Sequence, residues 1–331
     1  MADGSSHQLY WRKENSYGIS EEKNCYEVFR HTGTTLALSK NMMMSEELRE
    51  NRQISGLRHG VHQVGGDITT EFHLSDFDVL LEGVLCNTWQ PCEEADSEEE
   101  NPGADLEGED STPTTRSISI GTERKSFTLL RHFSDLNTAN DSSCCQQFTG
   151  VEFNTWNLQI SPDTIIKSTF SVLGKSMEMI PFPGDSHLSQ DTSDYSALDS
   201  FTGTLKIAGE VISVVTEIQL NLENGLDPRY VVGSQKTKRP QIGRAHLSGQ
   251  MSAYFENTKL LDGFINEAPT SLSFTLKEGS KGEIAFELPQ IQYTGGQLDV
   301  SGPGAILLVL PFQATGKDTH LIITQTLKSE Q

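Results

Sequence analysis

From Ser117 onward, apolar residues return at every second position, which is the period of a strand with one buried face. Val214, Thr216, Ile218, Leu220 and Leu222 form one such run, closed by the turn pair Asn224-Gly225. Ala245, Leu247, Gly249, Met251, Ala253 and Phe255 form a second, and shorter runs contain Ile166, Ser168, Phe170 and Val172, then Leu272, Phe274 and Leu276, then Ile284, Phe286 and Leu288. Residues 305–312 are apolar at both parities, which predicts a central strand whose end is restricted by Pro311. Many short strands between turn residues predict a mainly β fold, a sandwich or a barrel. With 331 residues the chain suffices for one large all-β domain or two smaller ones.

Before that region the period is different. Phe77, Leu80, Leu81, Val84 and Leu85 fall at the spacing of one helical face, so one flanking α-helix is expected to start near Ser75 as N-cap and stop at Asn87. Asp76, Asp78 and Glu82 sit toward its N-terminal half, where the helix dipole favours negative charge. Residues 1–33 are polar with scattered aromatics and read as an N-terminal arm, ahead of a β-domain over 34–331. Within that domain, residues 41–66 carry Met42, Met43 and Met44 in succession, four Arg or His residues from Arg52 to His62, and Gly65-Gly66; they read as an extended loop or hairpin. Residues 88–115 match neither period and combine Pro, Gly, Glu and Asp, the composition of a mobile surface insertion. No regular element is expected over 181–200.

Charge narrows the function classes. The net charge of -21 opposes any broad surface that grips phosphates. Residues 91–110 hold ten acidic and no basic residues, so the rest of the chain carries -21 + 10 = -11. Cys25, Cys86, Cys92, Cys144 and Cys145 are odd in number and contain no CxxC pair, which argues for reduced structural thiols over a disulfide framework or a zinc site. No basic-then-apolar leader precedes the chain's first elements, and no apolar run reaches membrane-spanning length.

A search for chemistry yields no catalytic, cofactor-binding or metal-binding constellation. Gly295-Gly296 and Ser301-Gly302-Pro303-Gly304 lack the Lys-Ser/Thr ending of a phosphate loop. His59 and His62 are three apart but flanked by Gly60 and Gly65, with no third ligand in view. No Gly-x-Ser-x-Gly elbow occurs, and the acidic run lacks the fixed alternation of a calcium loop. Trp11, Trp89 and Trp156 stand in separate contexts and form no platform for a carbohydrate-binding or adhesive module, which is the alternative reading, and no placed carboxylate pair suggests a hydrolase.

The order of features is informative. Ser45-Glu46-Glu47-Leu48-Arg49-Glu50-Asn51-Arg52-Gln53, then Val64-Gly65-Gly66-Asp67-Ile68, then a helix with Phe77, Leu80 and Leu81, resembles the opening of tail tube proteins of long-tailed bacteriophages. Phe148-Thr149-Gly150, the strand ending in Gly174-Lys175, and the runs over 214–225 and 249–257 follow that family's succession. The resemblance implies a structural virion protein, not an enzyme, assembled in the host cytoplasm into stacked hexameric rings around a channel that DNA crosses without specific binding. Another tube or tail-completion protein shares this logic. The implied partners are the chain itself, a tape measure protein and terminator or baseplate proteins, with no membrane and no cofactor. On this reading Met42, Met43, Met44, Leu48, Arg52 and Arg58 are candidate contacts between rings, and Phe77, Leu80, Leu81, Val84 and Leu85 pack the helix on the sheet.

Overall fold

The computed structural model describes residues 3–20, 25–48, 50, 53–92, 114–136, 144–184, 187–189, 195–199, 204–279, 281–300, 302 and 304–327. The fold is mainly β, and its sheets are not closed into a barrel, consistent with a β-sandwich. One layer has the strands Thr114–Ser119, Ile322–Leu327, Gly282–Tyr293, Thr270–Glu278 and Thr204–Ile207 in spatial order. The opposing layer runs Leu307–Ala314, His246–Tyr254, Val215–Glu223, the second half of Cys145–Ile160, Lys167–Gly174, Leu57–Glu71 and Ala37–Met44. All these pairings are antiparallel. Phe286 from the first layer touches Trp156 and Phe72 from the second, with ring centroids 6.3 Å apart in both pairs.

Alternation in the sequence becomes alternation in burial: Ile218, Leu220 and Leu222 point into the core, as do Leu272, Phe274, Leu276, Ile284, Phe286 and Leu288. The strand Leu307–Ala314 is central, with His246–Tyr254 on one side and Gly282–Tyr293 and Gln297–Asp299 on the other. Pro311 is tolerated there because it lies in the gap between those last two pairings, facing the turn where Thr294 N–H donates to its carbonyl at 2.8 Å. No ladder donor is needed at that place.

Cys145–Ile160, the longest strand at 16 residues, belongs to two sheets. Its first half pairs with Phe127–Phe133 and Ser176–Ile180, and its second with Lys167–Gly174 and Val215–Glu223. The change of partners occurs around Gly150 at φ +64°, where an added Cβ would lie 2.7 Å from the Lys175 side chain.

Within 1–33, read in the sequence as an arm, the described residues include strands. His7–Lys13 is a strand paired along its length with Phe127–Phe133, and Leu9, Tyr10, Trp11 and Arg12 are buried. Polar composition hid it, because its partner lies more than a hundred residues away. A hydrogen-bonded chain secures its start: Arg131 Nε donates to His7 Nε2 at 3.1 Å, His7 Nδ1 bonds His31 Nε2 at 2.9 Å, and His31 Nδ1 donates to the Phe29 carbonyl at 3.1 Å.

Helix α1, Asp78–Leu85, is shorter than its expected span. Ser75 is not the N-cap: it has φ +70°, and Phe77 occupies the cap position without a side-chain cap bond. The Ser75 hydroxyl bonds the Asp78 carboxylate instead, at 3.4 Å. Cys86, left-handed at φ 52°, ends the helix one residue before Asn87. Phe77, Leu80, Leu81, Val84 and Leu85 are all buried. Gly83 permits the approach to the sheet, since a Cβ there would lie 2.7 Å from Phe127 and 2.9 Å from Phe153. A second helix, α2 at Lys259–Ile265, accompanies the one expected; it is only partly buried, and Leu261 and Phe264 seat it against Gly296. Among the described residues no helix is long and apolar enough to cross a membrane.

Candidate functional site: an exposed hairpin and its brace

Ala37–Met44 and Leu57–Glu71 form a hairpin, with Met42 opposite His59, Met43 opposite Arg58 and Met44 opposite Leu57. Ser45 N–H donates to the Gly56 carbonyl at 3.0 Å where the turn begins and ends. Successive strand residues point to opposite faces, yet Met42, Met43 and Met44 are 63%, 55% and 55% exposed. Both faces of this ribbon therefore meet solvent. Leu48, Ile54, Leu57 and Arg58 are exposed as well, and Arg52 lies outside the described residues. The Met43 side chain lies across Gly60.

A second hairpin, Asp227–Arg229 with Lys238–Gln241, holds the ribbon's base. From its connecting loop, Tyr230 Oη donates to the His62 carbonyl at 3.2 Å and Gln235 Nε2 to the His59 carbonyl at 3.2 Å, while His62 N–H donates to the Gln235 carbonyl at 2.8 Å. The brace is tied to the body by Arg239, whose Nε donates to Glu152 at 2.8 Å. Glu152 is buried and also pairs with Arg124. Lys236 pairs with Glu178 at 3.3 Å beside this base, and His62 is shifted toward its neutral form by desolvation, by Lys40 and by His59 and Lys236. The sequence reading missed the brace. Its available signals were Pro228, Gly233 and Pro240, and residues so spaced name a turn without naming what it touches.

The remaining chemistry is sparse. An open groove of about 280 Å³ at the sheet margin, lined by Leu205, Ile212, Val215 and Phe274 among others, has Glu217 as its one titratable wall residue. Burial pushes the Cys86 thiol up to about 11, so it stays protonated and a poor nucleophile at neutral pH. His59 and His62 sit on the ribbon next to carbonyl contacts with the brace. The acidic run over 91–110 lies, beyond Cys92, outside the described residues.

No curated protein matches the chain. A protein-family model described as phage tail tube protein matches residues 4–314, nearly its whole length. A β-sandwich carrying an exposed apolar ribbon is in keeping with that match, and the chain belongs to the phage tail tube protein family.

Proposed function

We propose that this structural protein of the virion tail forms hexameric rings that stack into a tube, with the 41–66 ribbon crossing the joint between rings. The observation that carries the proposal is the ribbon's burial pattern: Met42, Met43, Met44, Ile54 and Leu57 are too exposed to serve the subunit's own core. Methionine side chains adapt to irregular apolar surfaces, as an interface between copies demands. Self-association is the family's general property, and head-to-tail ring stacking leaves an open, extendable filament. Tape measure and terminator or baseplate proteins are its proposed partners at the tube's interior and ends.

The lumen would carry DNA without gripping it. Each Lys or Arg facing a phosphate adds a counterion-releasing contact that slows sliding, and a net charge of -21 has the sign this transit needs. The ten carboxylates of 91–110 belong on the outside, where solvent screens them and they keep a filament soluble.

Replacing residues 42–58 by a two-residue turn tests the reading. The expected result under negative-stain microscopy is a folded, soluble subunit that makes no tubes; tubes of normal length from that variant would overturn it. Protease treatment of intact tubes addresses the acidic segment, with cleavage inside 91–110 expected while the tube persists.

A further inference from the structure

The strands His7–Lys13, Phe127–Phe133, the first half of Cys145–Ile160 and Ser176–Ile180 form a further sheet, and on its face turned away from the main core His132, Cys144 and Cys145 come together. His132 and Cys145 are cross-strand partners between Phe127–Phe133 and Cys145–Ile160. Cys144 stands just before the second of these strands, where Phe133 N–H donates to its carbonyl at 3.3 Å. Adjacent residues within a strand would point to opposite faces. Here the departure from regular strand at Cys144 leaves its sulfur only 3.9 Å from that of Cys145. One ligand atom from each of the three residues lies within 4.8 Å of the other two, and all three residues are buried. Tyr10, Tyr26 and Leu130 complete this satellite cluster, and Phe182 stacks on the His132 ring with centroids 4.2 Å apart.

We propose that His132, Cys144 and Cys145 form a binding site for a thiophilic divalent cation, zinc being the ion whose chemistry fits. Zinc takes thiolate and imidazole ligands in a tetrahedron with Zn–S bonds of ~2.3 Å, which sets two thiolates about 3.8 Å apart. The observed sulfur separation of 3.9 Å meets that spacing and is far from the ~2.05 Å of a disulfide. Magnesium and calcium call for oxygen ligands, which this trio does not offer. The fourth position falls to water, as in three-ligand zinc sites. The ion would clip two neighbouring strands together close to where their ladder begins, under a cover of aromatic side chains.

The test uses the full chain, reduced and freed of metal, titrated with Co²⁺ as a visible stand-in for zinc. One equivalent per chain should produce a thiolate-to-cobalt charge-transfer band, and Zn²⁺ should abolish it by displacement. Cys144→Ser, Cys145→Ser and His132→Ala should each weaken binding by about 100-fold or more, beyond the ~10–100-fold cost of losing only a supporting group. Cys25→Ser, altering an exposed thiol, should leave it unchanged. Absence of the band in folded, fully reduced wild-type protein would overturn the proposal, as would a band that survives in both cysteine variants. Because the wild-type titration decides by itself, a variant that fails to fold does not rescue or sink it.

Discussion

The strand Leu57–Glu71 passes through two environments. In its second half, Val64, Ile68 and Thr70 are fully buried; in its first, Leu57, Arg58 and His59 stand in solvent on a ribbon with no third strand. Backbone pairing runs into both halves, with one register shift between Lys40 and Met42. The second half is paired on both edges, with Lys167–Gly174 and with the strands before it, while the first half has one partner and little side-chain cover. A two-stranded ribbon is marginal alone in water, and this one is held to the body at its base through Tyr230 and Gln235, while its apolar tip is exposed. Within one strand the protein has a part that fixes its fold and a part that, on the function proposed above, is left for assembly.

The sharpest way to break this division is to attack the buried side. Leu81→Asp places a charge among residues that are 0–2% exposed, and is expected to cost more than about 4 kcal/mol, read as loss of a folded baseline in urea unfolding. Near-normal stability would mean that α1 is not part of the core. Glu152→Gln, at the root of the brace, should cost about 1–3 kcal/mol by weakening the hold on Arg124 and Arg239. Amide exchange at His62, whose N–H bonds the brace, should accelerate in that variant more than at Ile68; equal protection at both would detach the brace from the ribbon.

Acid offers a gentler probe. Burial, then Arg131, lowers the His7 pKa from 6.5 to about 4, so the folded state favours neutral His7. Its contribution is fully present above pH 6.5 and is lost as pH falls toward 4. The stability difference between wild type and His7→Gln should therefore shrink across that window and be flat above it. Asp78, raised from 3.8 to about 6 by burial despite Arg116, acts in the opposite sense, and taking the difference cancels it. A difference independent of pH would refute the neutral His7–His31 chain. The smallest expected effect on the subunit belongs to Met43→Ser, within ~0.5 kcal/mol by thermal unfolding because the residue is half exposed, yet with tube formation impaired. A destabilised subunit with normal tubes would reverse the assignment.

Legibility in the sequence followed the range of the interaction. Ile218, Leu220 and Leu222 were readable because alternation is a local signal of a half-buried strand, and the α1 stripe because five apolar residues keep one helical face. The start of α1 was misread because Ser75 has the chemistry of a cap, but its left-handed backbone turns it away from that task. Lys259–Ile265 escaped notice because two turns of a partly buried helix carry too little pattern. His7–Lys13 escaped because what makes it a strand is Phe127–Phe133, distant in sequence. At the ribbon, the three methionines drew attention as a composition anomaly, while Tyr230, Gln235 and Arg239 had no signal that would link them to it. His132 was overlooked for a like reason: a pattern search expects paired cysteines at fixed spacing, and this trio is assembled by a ladder.

The pairing of Thr114–Ser119 with Ile322–Leu327 has a consequence in time. Ribosomes add ~5–20 residues per second, so the roughly 200 residues between these strands leave the earlier one without its closing neighbour for about 10–40 s. Every nascent copy presents that open margin while other copies are being made nearby. The segment Thr114-Thr115-Arg116-Ser117-Ile118-Ser119 is built for the wait: it has a charge near its middle and one large apolar residue, Ile118, so it offers a stray chain little to hold until its own partner arrives.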